Sequence, residues 1–450
     1  VATVRIWFRK LRLTPVHLIV LAYLAFALAG TALLMLPVSL RPGVEISFID
    51  ALFTATSAVS VTGLTVVSTP DTFDAFGRAV LLVLIQFGGI GVMTLGTLMF
   101  VLMGRRLNLG ARMMMKVDQN SPHLQGLVRL MLFILKLALL TELAAAVVMF
   151  GYFAVKYQLP APEALSLSVF HAVSGFTNAG FDLFGDSLRS FRQDIPFQLI
   201  IGLLLIAGGI GFPVFLEIIE YVRTRKRLSL FCKLTGLTFA GLIIFGFVLI
   251  LAGEHNGSLA NLSASEKVSV ALFQSLTTRS GGFSTFEVAE FRNATLLIMC
   301  LLMFIGCSPS SCGGGIRTTT FAVILLSICA LFRGRSTVQV LGRELHPEDV
   351  QQAYSILVIA GLLVFTGAVI LMEIEPFGAI PILFEVCSAF GTTGLSMGIT
   401  PDLSPVSKVV LIILMFIGRI GILALVLFSQ PAHPKKHIIH YPKERLIVGH

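Results

Sequence analysis

The sequence predicts an all-α polytopic membrane protein, and three observations carry that prediction. Hydrophobic residues make up 56% of the 450-residue chain and charged residues only 13%, where soluble proteins average roughly 45–50% and about 25%. Eight apolar stretches come close to or exceed the roughly 20 residues that a helix needs to cross a bilayer. Between them one short pattern recurs four times, which marks an internal repeat. A soluble enzyme with a single anchor helix would not carry its apolar excess along the whole chain, as the mean hydropathy of +0.90 requires here.

The apolar stretches fall at 16–35, 79–103, 126–155, 196–219, 233–251, 295–332, 354–371 and 406–428. The opening VATVRIWFRKLRLTP is basic and has no small-residue cleavage site, so it reads as a cytoplasmic tail and not as a removable signal. After every odd-numbered stretch comes an amphipathic run of about 12 residues, too short to span and suited to a re-entrant half-helix. The expected unit is helix, half-helix with loop, helix. Its copies are repeat A (1–110), repeat B (111–227), repeat C (228–337) and repeat D (338–430), followed by a cytoplasmic tail, 431–450.

The repeat is legible in two elements. From Phe53 the chain reads FTATSAVSVTGL, from Phe170 FHAVSGFTNAGF, from Leu272 LFQSLTTRSGGF and from Phe384 FEVCSAFGTTGL. The same place in each is glycine: Gly63, Gly180, Gly282 and Gly394. The second element is FGGIG at Phe87, AGGIG at Ala207, FIGCS at Phe304 and FIGRI at Phe416.

With the N-terminus inside, most basic residues fall on inner segments, among them Arg105, Arg106, Arg223, Arg225, Lys226, Arg227, Arg333 and Arg335. Both termini are therefore expected in the cytoplasm of a multi-pass cell-membrane protein. Read by side of the bilayer, the net charge of +9 is not a nucleic-acid signal, and the surrounding partner is lipid. Acidic residues prevail outside, where they would concentrate cations. Two spans per unit make the four copies parallel around one axis, unlike an inverted-repeat transporter.

In this topology each half-helix descends from outside, and the partial negative charge of its C-terminal end points to mid-membrane, where a cation would sit. A loop that climbs back with its carbonyls turned inward needs backbone conformations that glycine adopts freely. The expected ring comprises Val61, Thr62 and Gly63; Asn178, Ala179 and Gly180; Ser280, Gly281 and Gly282; and Thr392, Thr393 and Gly394. Its carbonyls would replace the hydration shell of a monovalent cation. Below it, the stretch 306–317 of the third copy cannot continue a helix. It holds Gly306, Ser308, Pro309, Ser310, Ser311, Gly313, Gly314 and Gly315, and reads as a plug. Arg317 does not stand where the lysine of a phosphate-binding loop would. Arg419, in the place that Gly89 and Gly209 hold in earlier copies, is a charge deep in the last stretch. It is expected to bond to the plug and to limit cation flow.

Other polar residues have scaffold or mouth roles in this layout. Arg279 is placed to stiffen the third loop, His171 and Glu385 to serve as scaffold, and Asp182 to be a mouth charge or a solvated one. Glu142 and Lys136 are expected to pair. The six cysteines show no CxxC spacing and no histidine at ligand spacing, so neither zinc nor a disulfide framework is expected.

Four loop glycines framed by eight apolar stretches resemble the Trk/Ktr/HKT superfamily of potassium transporters, and within it the Ktr type, with its KtrB-like membrane subunit. The resemblance implies that the glycines line a selectivity filter binding K+, and Gly63, where sodium-favouring plant members carry serine, implies potassium. It also implies an intramembrane gating loop, Na+ as activator or coupled ion, a homodimer, and control by a cytosolic nucleotide-binding RCK ring (KtrA-like). No enzymatic activity and no organic cofactor are expected. The alternatives are a Trk-like proton- or sodium-coupled cation carrier and a non-conducting membrane scaffold.

Overall fold

A computed structural model of the chain describes residues 15–91, 127–225 and 227–422. The basic N-terminal segment, the loop with Arg105 and Arg106, Lys226 and the tail 431–450 lie outside the described residues. The described elements follow one order four times. First come α1 (Pro15–Leu34), α2 (Phe48–Ser60) and α3 (Ala75–Ile90), then α4 (Leu127–Lys156), α5 (Ala161–Thr177), α6 (Ile195–Gly209) and α7 (Phe212–Thr224). After these come α8 (Leu230–Glu254), α9 (Ala264–Thr277), α10 (Asn293–Ile305) and α11 (Thr318–Phe332). A small hairpin of β1 (Gln339–Val340) and β2 (Arg343–Glu344) leads to α12 (Pro347–Ile374), α13 (Ala379–Phe390) and α14 (Pro405–Ile420).

The first helix of each copy, α1, α4, α8 and α12, is long and apolar enough to cross a bilayer by itself. These helices turn leucine, valine and phenylalanine outward, with Leu140 67%, Leu143 64% and Phe365 67% exposed. Apolar faces of that extent are not left to water, so they face lipid. The half-helices α2, α5, α9 and α13 instead bury most of their C-terminal halves. Two of them start on serine caps. Ser47 Oγ accepts from Asp50 N, and Ser263 forms a capping box with Glu266.

The second apolar stretch of each copy departs from expectation. Continuous spans over 79–103, 196–219 and 406–428 were expected, with a break only in the third copy. In the structure every second helix stops within or directly after the second repeated element. Helix α3 ends at Ile90, α6 gives way to α7 with a 97° bend, α10 ends at Ile305, and α14 ends at Ile420. The residues that end them are Gly91 (φ 94°), Gly211 (φ 98°), Gly306 (φ 62°) and Gly421 (φ 93°), a backbone that only glycine takes up without strain. The FGGIG element is thus a helix stop as well as a repeat marker.

Two apolar clusters form the core. One is built mainly from α1 to α6 around Phe73, Phe153, Phe176 and Phe197, and the other from α8 to α14 around Phe291, Met303, Phe384 and Phe390. They are stitched by exchanged residues: Phe273 and Phe283 join the first, while Phe53 and Leu64 join the second. At the end where each half-helix begins, polar ties clamp the first helix of a copy to its last. Asp74 N donates to Ser39 O at 3.0 Å, Arg292 N to Glu254 Oε1 at 2.9 Å, and Ser404 N to Glu375 Oε1 at 2.8 Å. In the second copy Lys156 pairs with Asp194 at 2.8 Å. The half-helix and its loop are held between these clamped ends.

Candidate functional site

Each half-helix runs into a buried residue of left-handed backbone. These are Val61 (φ 57°), Asn178 (φ 61°), Ser280 (φ 59°) and Thr392 (φ 45°), one per copy. Left-handed backbone is unfavourable for any residue with a Cβ and most of all for branched Val61 and Thr392, so its fourfold recurrence shows that the surroundings impose it. Two residues on stand Gly63, Gly180, Gly282 and Gly394, with φ of 90°, 68°, 76° and 88°. The residues between, Thr62, Ala179, Gly281 and Thr393, are also buried.

The four glycines close a ring. A Cβ on Gly63 would lie 3.0 Å from Gly180 Cα, one on Gly180 2.7 Å from Gly282 Cα, one on Gly282 2.7 Å from Thr393 O, and one on Gly394 3.0 Å from Gly63 Cα. No side chain fits between these backbones. Serines hold the turns: Gly63 N donates to Ser57 Oγ and Gly394 N to Ser388 Oγ, both at 3.1 Å, while Ser174 Oγ donates to Phe181 O at 2.7 Å. Each serine lies six residues before its glycine, a signal that the aligned copies carry and that sequence reasoning missed. The third copy has Leu276 there, and Arg279 takes over, its buried guanidinium donating to Leu302 O at the end of α10.

The second motif packs directly onto these turns. A Cβ on Gly88, Gly208 or Gly418 would overlap the carbonyl group of Val59, Phe176 or Phe390, in each case four residues before the ring glycine. The last-helix glycines are therefore contact points that let α3, α6 and α14 approach the half-helix ends.

Against the ring lies the 306–317 stretch. Ser308 N and Cys312 N donate to Gly209 O and Gly208 O at 3.2 and 3.0 Å, and Phe212 N donates to Ser310 O at 2.9 Å, fastening the stretch to the break between α6 and α7. Ser311 Oγ donates to Ser308 O at 2.6 Å, and Pro309 O lies against Gly211. Gly313 packs on Ser280 and Gly314 on Thr392, and Gly315 (φ 76°) turns the chain back toward Gly306. Arg317 donates to Gly313 O within the stretch. Arg419 is buried and donates to Cys312 O on one side and to Gly88 O and Gly89 O at the end of α3 on the other. The four loops, the stretch 306–317 and Arg419 are thus in mutual contact.

The secondary candidates take structural places. His171 Nδ1 sits 2.7 Å from Leu167 O, and its ring stacks on Phe184. Glu385 accepts from Ser396 Oγ, Met397 N and Thr400 Oγ1 at 2.5, 3.1 and 2.9 Å. Asp182 caps its own loop through Phe184 N and Gly185 N. The expected pairing of Glu142 with Lys136 does not occur. Glu142 is buried and accepts from Gln86 Nε2 at 3.1 and 2.9 Å, whereas Lys136 is exposed on another face of α4. A six-residue offset on a helix of 3.6 residues per turn sets the two side chains about 120° apart around its axis.

The family model described as TrkH, cation transport protein, matches residues 14–441. The chain belongs to that family. It is 46% identical over 450 residues to the Ktr system potassium uptake protein D of Bacillus subtilis, covering 99% of this chain and 100% of the relative. To the Ktr system potassium uptake protein B of the same organism it is 37% identical, with 97% of each chain covered. The potassium/sodium uptake protein NtpJ of Enterococcus hirae is 36% identical over 97% of this chain and 98% of its own. Among solved structures, the potassium transporter TrkH from Vibrio parahaemolyticus superposes with a TM-score of 0.72 at 19% identity, over 92% of this chain and 84% of that one, which shows a shared fold. Family membership and the outward apolar helices together make this a polytopic cation transporter of the Trk/Ktr type, set in the cell membrane.

Proposed function

We propose that the chain is the potassium-translocating membrane subunit of a Ktr-type uptake system. The observation that carries the reading is the ring: four glycines in contact, each reached through a left-handed residue at the C-terminal end of a half-helix. In this reading the repeats A to D, with eight passes in parallel, surround one axis on which the ring is the selectivity filter. Potassium sheds water against the carbonyls of Val61–Gly63, Asn178–Gly180, Ser280–Gly282 and Thr392–Gly394, and the half-helix ends add their partial negative charge. The membrane field drives the ion inward by about 2.3 kcal/mol per charge and 100 mV.

The stretch 306–317 is the gate. It blocks the path below the filter while Arg419 ties it to α3, and the Arg419 charge opposes cations that approach it. Sodium acts as activator or coupled ion, a reading that the relative named for potassium and sodium uptake supports. Two copies form a homodimer, and a cytosolic RCK ring moves the gate; the Ktr relatives, named as proteins of a system, support a further component. Both termini face the cytoplasm.

The test is rubidium and potassium flux into liposomes holding the purified chain, with sodium in competition. Flux that prefers potassium and collapses in Gly394→Ser is expected, because no Cβ fits beside Gly63. Equal flux of both ions in parent and variant would refute the filter.

A further inference from the structure

Resting on the filter-and-gate reading above, we propose that Cys307 is a positioning residue through which the gate segment holds the third filter loop and so sets the ion preference of the filter. Cys307 follows Gly306, whose positive φ makes it the pivot between α10 and the gate. Its thiol donates to Arg279 O at 2.8 Å. Arg279 immediately precedes Ser280, the left-handed residue of the third filter loop, and its own side chain donates to Leu302 O in the last turn before the pivot. The two residues thus hold each other's backbone: the filter side grips the helix before the gate, and the first gate residue grips the end of the filter helix.

The gate also supports this side from below. A Cβ on Gly313 would lie 2.7 Å from both Cys307 Sγ and Ser280 Cβ, and one on Gly314 would lie 2.6 Å from Thr392 Oγ1. Ser280 Oγ in turn donates to Gly391 O at 2.9 Å, which links the third filter loop to the fourth. In the first and second copies the corresponding turns are tied by Ser57 and Ser174 within their own loops. The third copy has no such serine, and there the gate adds its support to the hold of Arg279 on Leu302 O. Where the Cys307 tie is cut or the gate residues are removed, Ser280 loses that support, while the first and fourth loops keep the local ties of Ser57 and Ser388. The carbonyls of the third loop then shift away from the ring, and the ring discriminates less between potassium and sodium.

The experiment compares the parent, Cys307→Ala, Cys307→Ser and a chain shortened within 308–315. Two readouts are taken: the ratio of rubidium to sodium flux in liposomes, and the thermal shift of the purified protein in potassium against sodium. Cys307→Ala is expected to lower the potassium preference in both by about three- to tenfold, the effect of one buried hydrogen bond. Cys307→Ser, which keeps a donor, restores it, and the shortened chain conducts with the reduced preference. An unchanged ratio in Cys307→Ala and in the shortened chain, beside a selective parent, would overturn the coupling alone. A parent with neither selective flux nor a potassium-specific shift would overturn the filter reading and the coupling with it.

Discussion

Glycine at Gly418 has a specific reason: a side chain there would run into the Phe390 carbonyl group at the turn before the ring. Overpacking at a site closed by backbone costs about 1–3 kcal/mol. Gly418→Ala is therefore expected to lower the thermal unfolding midpoint in detergent. Gly236 is the control, since a Cβ there meets nothing within 4 Å and alanine favours the helix by up to about 1 kcal/mol. Gly236→Ala should hold or raise the midpoint. At Arg419 the charge is fully engaged with carbonyls of two elements, Cys312 O and the Gly88–Gly89 pair. A buried guanidinium needs such acceptors, and its removal leaves those carbonyls without a donor. Arg419→Gln is expected to raise basal rubidium influx, because the stretch beneath the ring loses its tie to α3.

Between elements, the outer clamps set how each half-helix sits. The second copy uses Asp194, at the start of α6. Burial pushes this carboxyl up, but hydrogen bonds from Lys156, Tyr152 and Tyr157 outweigh it and hold Asp194 below the usual carboxylate range. The same burial and the neighbouring Asp194 push the Tyr157 hydroxyl up to about 12, so it stays a donor through the neutral range. A carboxyl whose native pKa is depressed contributes stability above its unfolded value, about 3.9, and loses it as pH falls through the native value. Asp194→Asn should therefore melt below the parent at pH 7, and the gap should close in melts run progressively below about pH 4. An unchanging gap would show that packing against Phe197 and Phe191, and not the charge, fixes this clamp.

Taken whole, the molecule consists of two apolar halves joined at the ring and the stretch under it, and that stretch touches α6, α14, and through Arg419 α3. Its removal should open a path without dissolving either half. Shortening 308–315 is expected to increase rubidium influx in liposomes while leaving a cooperative thermal transition. Because Arg419 acts through the same stretch, the shortened chain carrying Arg419→Gln should conduct no more than the shortened chain alone, since effects that share one contact do not add. Additive influx would show that the arginine charge acts on the ion path independently of the stretch.

Much was already legible in the sequence. The apolar stretches, the order of the half-helices, the four ring glycines and the place of Arg419 all follow from local pattern, because bilayer thickness and backbone satisfaction act on short segments. The breaks at Gly91, Gly211 and Gly421 escaped that reading, since apolar composition continues through them and glycine is also frequent inside continuous spanning helices. The same holds for Glu142, whose partner came from α3, 56 residues away in sequence, and not from its own helix. It holds too for Cys307 under Arg279, whereas the serines under Gly63 and Gly394, six residues before their glycines, stand in the repeated pattern itself. Pattern thus determined which residues are special, while the tertiary structure decided what each one touches, because hydrogen bonds across copies depend on how four separate turns meet at one point.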